Sequence, residues 1–315
     1  MQLGSLAIEV SGLAKSYGSV QAVKDVSFTV SAGECVAILG PNGAGKSTTV
    51  EIIEGFRTRD SGEVRVLGQD PALADGHWRA RLGIVLQECG FEGFLKVREV
   101  LQLHARYYPA PRAVDEVLAL CQLSEKADAR VLRLSGGQRR KLDVALALIG
   151  DPELIFLDEP TTGFDPIARQ AFWSVINDLR ALGKTVVLTT HFLDEAEALA
   201  DRLVLIIDGC VAATGTVHEI RSRSQGATVK FEFPRGLSVD AHNEFITLCT
   251  SLRASMMNPQ EAGLRTNQPT LALAHLTAWA AKRKMELSNL RVERPTLEDI
   301  YTAMVREAST QGSRI

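Results

Sequence analysis

The sequence predicts an α/β domain built on a largely parallel sheet, followed by a smaller α+β domain. Three observations carry this. Short strand-like runs alternate with helical patterns from about residue 6 to about residue 215, the succession that builds strand–helix–strand units. Cys35–Leu39 is apolar throughout, which suits a strand covered on both faces. From residue 226 the texture changes to a separate set of strand-like and helical segments. The length of 315 residues fits two domains, at roughly 150 residues for each.

Taken in order, strands are expected at Leu6–Val10, Val26–Val30 and Cys35–Leu39, then at Glu63–Leu67 and Gly83–Leu86. A helix from Lys46 to Glu54 follows the glycine-rich stretch Gly40–Gly45. Residues 97–149 read as mainly helical, with breaks at Pro109–Pro111 and Ser135–Gly137. They read as an inserted subdomain spanning about residues 90–150. Strands return at Leu154–Leu157, Thr185–Thr189 and Leu203–Ile207, separated by amphipathic helices at Pro166–Leu182 and Leu193–Ala200. Arg221–Gly226 reads as a polar linker, dividing a domain of residues 1–225 from one of 226–315. In the second, Thr228–Phe233 alternates like a strand, and Thr277–Lys284 and Thr296–Arg306 read as helices. Thr296 and Asp299 have capping-box spacing.

Hydrophobic residues make up 45% and charged residues 23%, which excludes a disordered, collagenous or coiled-coil chain. The net charge is −3, and it is evenly spread: residues 226–315 carry 11 Lys/Arg against 9 Asp/Glu, the rest 24 against 29. Neither part is a basic module, so no nucleic-acid partner is expected. No run approaches the roughly 20 apolar residues of a membrane-spanning helix. The longest candidates, Val144–Ile149, Leu203–Ile207 and Leu271–Ala281 with its His275, read as buried faces. The first ten residues lack the basic-then-apolar pattern of a signal peptide. Five dispersed cysteines without CxxC spacing fit thiols in a reducing compartment better than disulfides or zinc.

Gly40-Pro41-Asn42-Gly43-Ala44-Gly45-Lys46-Ser47 matches the phosphate-loop pattern G-x-x-x-x-G-K-[ST], between an expected strand and an expected helix. Glycines let the backbone N–H groups wrap a phosphate, and the helix N-terminus favours the anion. Lys46 can neutralise the β- and γ-phosphates, and the Ser47 hydroxyl can ligate Mg²⁺. A chance match is expected about 0.01–0.02 times in a chain of this length. Leu154–Leu157 then ends in Asp158-Glu159, at the sheet edge where α/β proteins bind ligands. One carboxylate can hold Mg²⁺, and the next can orient and deprotonate a water.

Leu134-Ser135-Gly136-Gly137-Gln138, lying upstream of Asp158-Glu159, resembles the signature motif of the ATP-binding cassette (ABC) ATPases. Further motifs agree in order: Tyr17 in Lys15-Ser16-Tyr17-Gly18, Gln87 after the strand Gly83–Leu86, Thr162-Gly163-Phe164-Asp165-Pro166, and His191 after Thr185–Thr189. The resemblance covers about residues 6–215. It implies an ABC-type P-loop fold: a RecA-like core, an N-terminal antiparallel β region and an inserted helical subdomain. It implies ATP and Mg²⁺ as ligands, with Tyr17 stacking on adenine and Gly40 through Thr48 holding the phosphates. Ser47, Gln87 and Asp158 would hold the metal, Glu159 would act as general base, and His191 would contact the γ-phosphate. In the family two cassettes stack head to tail, so Ser135, Gly136, Gly137 and Gln138 of one copy close over ATP held by the other, and Asp165 contacts across the pair. One copy of each motif implies a homodimer. Two departures are Phe164, where a leucine is usual, and Leu146, where many members have arginine. Arg139, Arg140 and Lys141 read as a solvated face with no role in the site.

Glu293-Arg294-Pro295-Thr296-Leu297-Glu298-Asp299-Ile300 resembles the P-T-L-E-D stretch near the end of bacterial drug-export ATPases of the daunorubicin/doxorubicin-resistance type. This implies a subunit at the cytoplasmic face of the membrane that energises export of a hydrophobic or amphipathic compound through a separate membrane permease. An importer ATPase is the alternative, as is a non-transport ABC ATPase acting on DNA or ribosomes. Those carry a long coiled-coil insertion or two cassettes, and the sequence shows neither.

Overall fold

The computed structural model describes residues 5–86, 93–223, 227–233, 239–251, 255–256, 262–293 and 295–312. The chain divides into two compact units, Met1–Val217 with Ala308–Ile315, and His218–Glu307.

The first unit opens with β1 (Leu6–Tyr17), β2 (Val20–Ser31) and β3 (Cys35–Leu39), then α1 (Lys46–Ile53), β4 (Ser61–Val66), α2 (Gly76–Ala80) and β5 (Leu82–Val85). The helical block holds α3 (Val97–Ala105), α4 (Val114–Leu120) and α5 (Gly136–Leu148). Then come β6 (Leu154–Asp158), α6 (Pro166–Ala181), β7 (Thr185–Thr189), α7 (Leu193–Leu199), β8 (Arg202–Ile207) and β9 (Cys210–Gly215), and α8 (Val217–Arg223) follows as the chain enters the second unit. Nine strands form one sheet in the order β4-β1-β2-β9-β8-β3-β7-β6-β5. The first three pair antiparallel. The run from β8 through β3, β7 and β6 to β5 is parallel.

Every residue of β3 is buried, because parallel neighbours flank it and helices cover the sheet. The register aligns Ile38, Thr189 and Asp158 across β3, β7 and β6. The segments leaving these three strands therefore emerge at one edge of the sheet.

Several segments depart from the sequence reading. The two N-terminal strands run longer than expected and close on a tight turn at Gly18, which sits at φ 59°. The break expected at Ser135–Gly137 falls at Leu134–Ser135: Ser135 is the extended N-cap, and both glycines already lie in α5, which begins at Gly136. Arg221–Arg223 belongs to α8 and is not linker, while residues 224–226 lie outside the described residues. β9 was not expected, because Cys210–Gly215 is rich in small residues. Its turn was readable: Asp208 and Gly209 have φ 49° and 75°, the pair a two-residue Asp-Gly hairpin requires.

In the second unit, β10 (Ala227–Glu232), α9 (Val239–Ser251), β11 (Ser255–Met256), β12 (Ala262–Thr266), α10 (Pro269–Lys282) and β13 (Ser288–Glu293) lead to α11 (Leu297–Gly312). The antiparallel sheet has the order β11-β12-β10-β13, the strand succession of a ferredoxin-like arrangement. Its core gathers Val229, Phe231, Phe245, Leu264 and Leu276. The helix expected at Thr277–Lys284 starts earlier, at Pro269, and ends at Lys282. Thr296 and Asp299 exchange hydrogen bonds at the start of α11, as their spacing predicts. Among the described residues no helix is long and apolar enough to cross a membrane.

Candidate functional site

The loop after β3 is shaped by close backbone approaches. A Cβ at Gly40 would lie 2.2 Å from the Ile206 carbonyl oxygen, and one at Gly45 would lie 2.3 Å from that of Ala22. Gly45, at φ 97°, is the N-cap of α1 and contributes no capping side chain. The hairpin of β8 and β9 braces the loop, as the Gly209 N–H donates to the Ala44 carbonyl (3.1 Å). Lys46 is buried, and its ammonium donates to the carbonyls of Gly40 (2.8 Å) and Pro41 (3.1 Å). Burial pulls its pKa down, while the charges of Glu159 and Asp158 oppose the shift.

A cleft of about 630 Å³ brings together Tyr17, Asn42, Gly43, Gly45, Lys46, Ser47, Thr48 and Glu159, with Asp208 and Gly209 on its wall. The Tyr17 ring is half exposed, with Lys15 and Arg57 5.7 Å and 5.6 Å from its centre. A smaller cleft, about 240 Å³, joins Ser47 and Asp158. The Thr189 hydroxyl donates to Asp158 Oδ1. A hydroxyl and a carboxylate are hard oxygen donors, and Mg²⁺ commonly takes only one or two protein ligands beside phosphate and water. The donor set therefore fits Mg²⁺. Gln87 lies outside the described residues.

Glu159 has φ 42°, a strained backbone for a side chain of this kind. Its N–H is held by the Thr189 carbonyl (3.1 Å) and hydroxyl (3.0 Å). Its carboxylate accepts from the Thr162 hydroxyl (3.1 Å) and lies 3.5 Å from His191 Nδ1. Glu159, the loop lysine and His191 thus meet at one edge. Ser135, Gly136, Gly137 and Gln138 do not line the cleft of Lys46. They form a reciprocal cap, with the Gln138 N–H donating to Ser135 Oγ (3.3 Å) and the Ser135 N–H to Gln138 Oε1 (3.1 Å). Asp165 caps α6 through the Ile167 and Ala168 amides.

Arg140 corrects the sequence reading. It is buried and not part of a solvated face. Its guanidinium donates to the carbonyls of Leu86, Asp158 (2.7 Å) and Pro160 (3.1 Å), and it lies 3.5 Å from Asp143. It ties the start of α5 to the ends of β5 and β6. The signal was its helical phase: Arg140 shares a face with Val144, Ala147 and Leu148, all buried.

A second groove, about 930 Å³, runs between the sheet and the helical block, and Glu54, Phe56, Leu86, Leu103 and Asp143 line it. Burial pushes the Glu54 carboxyl up to about 8, with Asp158 and Glu51 adding to the effect.

Two outcomes follow from these buried charges. Arg140→Met should lower stability by about 2–4 kcal/mol in urea unfolding, since three carbonyls and Asp143 lose their partner. Arg140→Lys should recover only part of this, because an ammonium lacks the guanidinium fork. Glu54 has a folded pKa above its unfolded value, so its contribution is full at low pH and is lost as pH rises through about 8. Without nucleotide, the parent should lose up to a few kcal/mol between about pH 5 and pH 9, and Glu54→Gln should flatten that fall.

Residues 23–162 match the ABC transporter family model. The chain is 39% identical over 308 residues to the Nod factor export ATP-binding protein I of Rhizobium johnstonii, covering 95% of this chain and 94% of that one. It is similar to a solved ATP binding subunit of an ABC transporter (31% identity, TM-score 0.61, covering 77% of this chain and 100% of that one). It also resembles the dimeric post-hydrolysis state of the ATP-binding cassette MJ0796 bound to ADP and Pi (27% identity, TM-score 0.59, covering 66% and 98%). With the loop lysine and the paired acids at one sheet edge and near full-length similarity to a transporter ATP-binding protein, this chain belongs to the ABC transporter family, as one of its ATP-hydrolysing ATP-binding subunits.

Proposed function

We propose that this subunit energises export of a hydrophobic or amphipathic compound through a separate membrane-spanning partner, acting at the cytoplasmic membrane face. The observation that carries the hydrolytic half is the meeting of Lys46 and Glu159 in one cleft, with His191 3.5 Å from Glu159. Lys46 and the amides of Gly43 through Thr48 bind the phosphates, and Tyr17 stacks on the adenine. Ser47, Gln87 and Asp158 are the residues to hold Mg²⁺, which, when bound, neutralises charge on the β- and γ-phosphates. Glu159 orients and deprotonates the attacking water, and His191 steadies the γ-phosphate. Lys46 rests on the Gly40 and Pro41 carbonyls, bonds that a phosphate can replace.

Ser135 through Gln138 lie outside the Lys46 cleft. This supports a homodimer in which the second copy closes the site. The groove lined by Phe56, Leu86 and Leu103 supports a docking place for the permease. Export, as against import, is supported by the relatives named for Nod factor export. The Pro295–Asp299 stretch supports the drug-export type; the Nod factor relatives support a second reading, in which the cargo resembles that factor.

Glu159→Gln should retain ATP binding, trap a closed dimer on size-exclusion chromatography, and lower turnover by at least about a hundredfold. Lys46→Ala should chiefly lose nucleotide affinity. Turnover at the parent rate in the Glu159 variant would remove the assignment. Co-purification with a candidate permease, then cargo-stimulated ATP hydrolysis, tests the export half.

A further inference from the structure

Glu195, on α7, is fully buried. A carboxylate at such a position costs several kcal/mol unless it is well partnered, and an apolar side chain would fill the space at less cost. Its Oε1 accepts from the Thr161 hydroxyl (2.8 Å) and the Trp173 indole N–H (3.3 Å). Its Oε2 is also buried, with no hydrogen bond in ordinary geometry among the described residues. Burial pushes the carboxyl up, while Thr190, Thr161, Trp173 and Arg169 favour its charged form.

These partners come from segments that carry the reacting groups. Thr161 is itself fully buried and stands two residues after Glu159, beside Thr162, which donates to the Glu159 carboxylate. Trp173 lies on α6, the helix capped by Asp165. α7 follows His191 directly. A second tie joins the same two helices: the Arg169 guanidinium lies 4.1 Å from the centre of the Phe192 ring and bonds Asp194 (3.0 Å). The His191 ring packs on that phenyl ring, with centres 4.1 Å apart.

We infer that Glu195 is a positioning residue for ATP hydrolysis: its buried carboxylate ties the turn after Glu159 to the helix after His191 and so sets the spacing of those two groups. The inference rests on the roles proposed for Glu159 and His191. It makes Glu195 a determinant of turnover and not of nucleotide affinity.

The test uses the full chain with E195L, E195Q and T161V, reading kcat, KM for ATP, equilibrium ATP binding and the thermal midpoint. E195L should lower kcat by about tenfold or more and T161V by about threefold, with KM and affinity within about twofold. E195Q keeps the acceptor oxygen and should return kcat to within about threefold of the parent. The six histidines give few side-chain NMR resonances, and loss of one in H191Q assigns His191. That resonance should move in E195L and T161V and stay in place in E195Q. Parent kcat in T161V or E195L overturns the inference. So does an unmoved His191 resonance, a fall in kcat that tracks lost affinity or lost folded protein, or an E195Q as slow as E195L. Where E195L does not fold, T161V and the resonance decide. Parent turnover in Glu159→Gln would remove the base role from Glu159 and leave the resonance test of Glu195 standing.

Discussion

The parallel pairing of β3 with β7 and β8 leaves that strand wholly out of water, and its carboxyl end is the fixed point from which the site is built. A buried central strand cannot slip by one residue without turning its apolar set against the wrong layer. The register that brings Ile38, Thr189 and Asp158 into line is therefore strongly held. From that line the chain leaves in three directions, as the phosphate loop, the acid turn and the histidine segment. Thr189 joins two of them, bonding both Asp158 and the backbone of Glu159. The left-handed backbone at Glu159 is tolerated because those bonds over-determine it.

Much of this was legible from residues alone, for physical reasons. Wrapping a phosphate needs bare amides at fixed spacing, and few sequences other than Gly40–Ser47 satisfy that. A strand buried on both faces must be apolar throughout, so Cys35–Leu39 announces itself. Arg140 was hidden because Arg139-Arg140-Lys141 looks like solvated charge; only the phase of α5 tells that one of the three points inward. β9 was hidden because Ala212 and Ala213 carry little strand preference, although the Asp208-Gly209 turn marked the hairpin. In the second unit α9, β12 and β13 lacked a clear period. All of β13 but Glu293 is exposed, so no alternation of buried and solvated positions existed to be read.

The buried polar groups divide by what they hold. Arg140 satisfies strand-end carbonyls that would otherwise be left unpaired between layers, which is a requirement of folding. Glu195 bonds side chains, not the sheet, and a core can be made without it. Lys46 stands between: its ammonium rests on loop carbonyls whose bonds are exchangeable. The chain thus places its rigid polar contacts behind the site and its replaceable ones within it.

The reciprocal cap at Ser135 and Gln138 has a kinetic consequence. Both side chains are already engaged within the first turn of α5, and two glycines add no side-chain rotamers to freeze. A surface ordered in this way surrenders little conformational entropy on contact. Its encounter with another surface is then governed by diffusion, orientation and charge and not by a slow local rearrangement. Such a patch needs no reordering of its own before it can engage another surface.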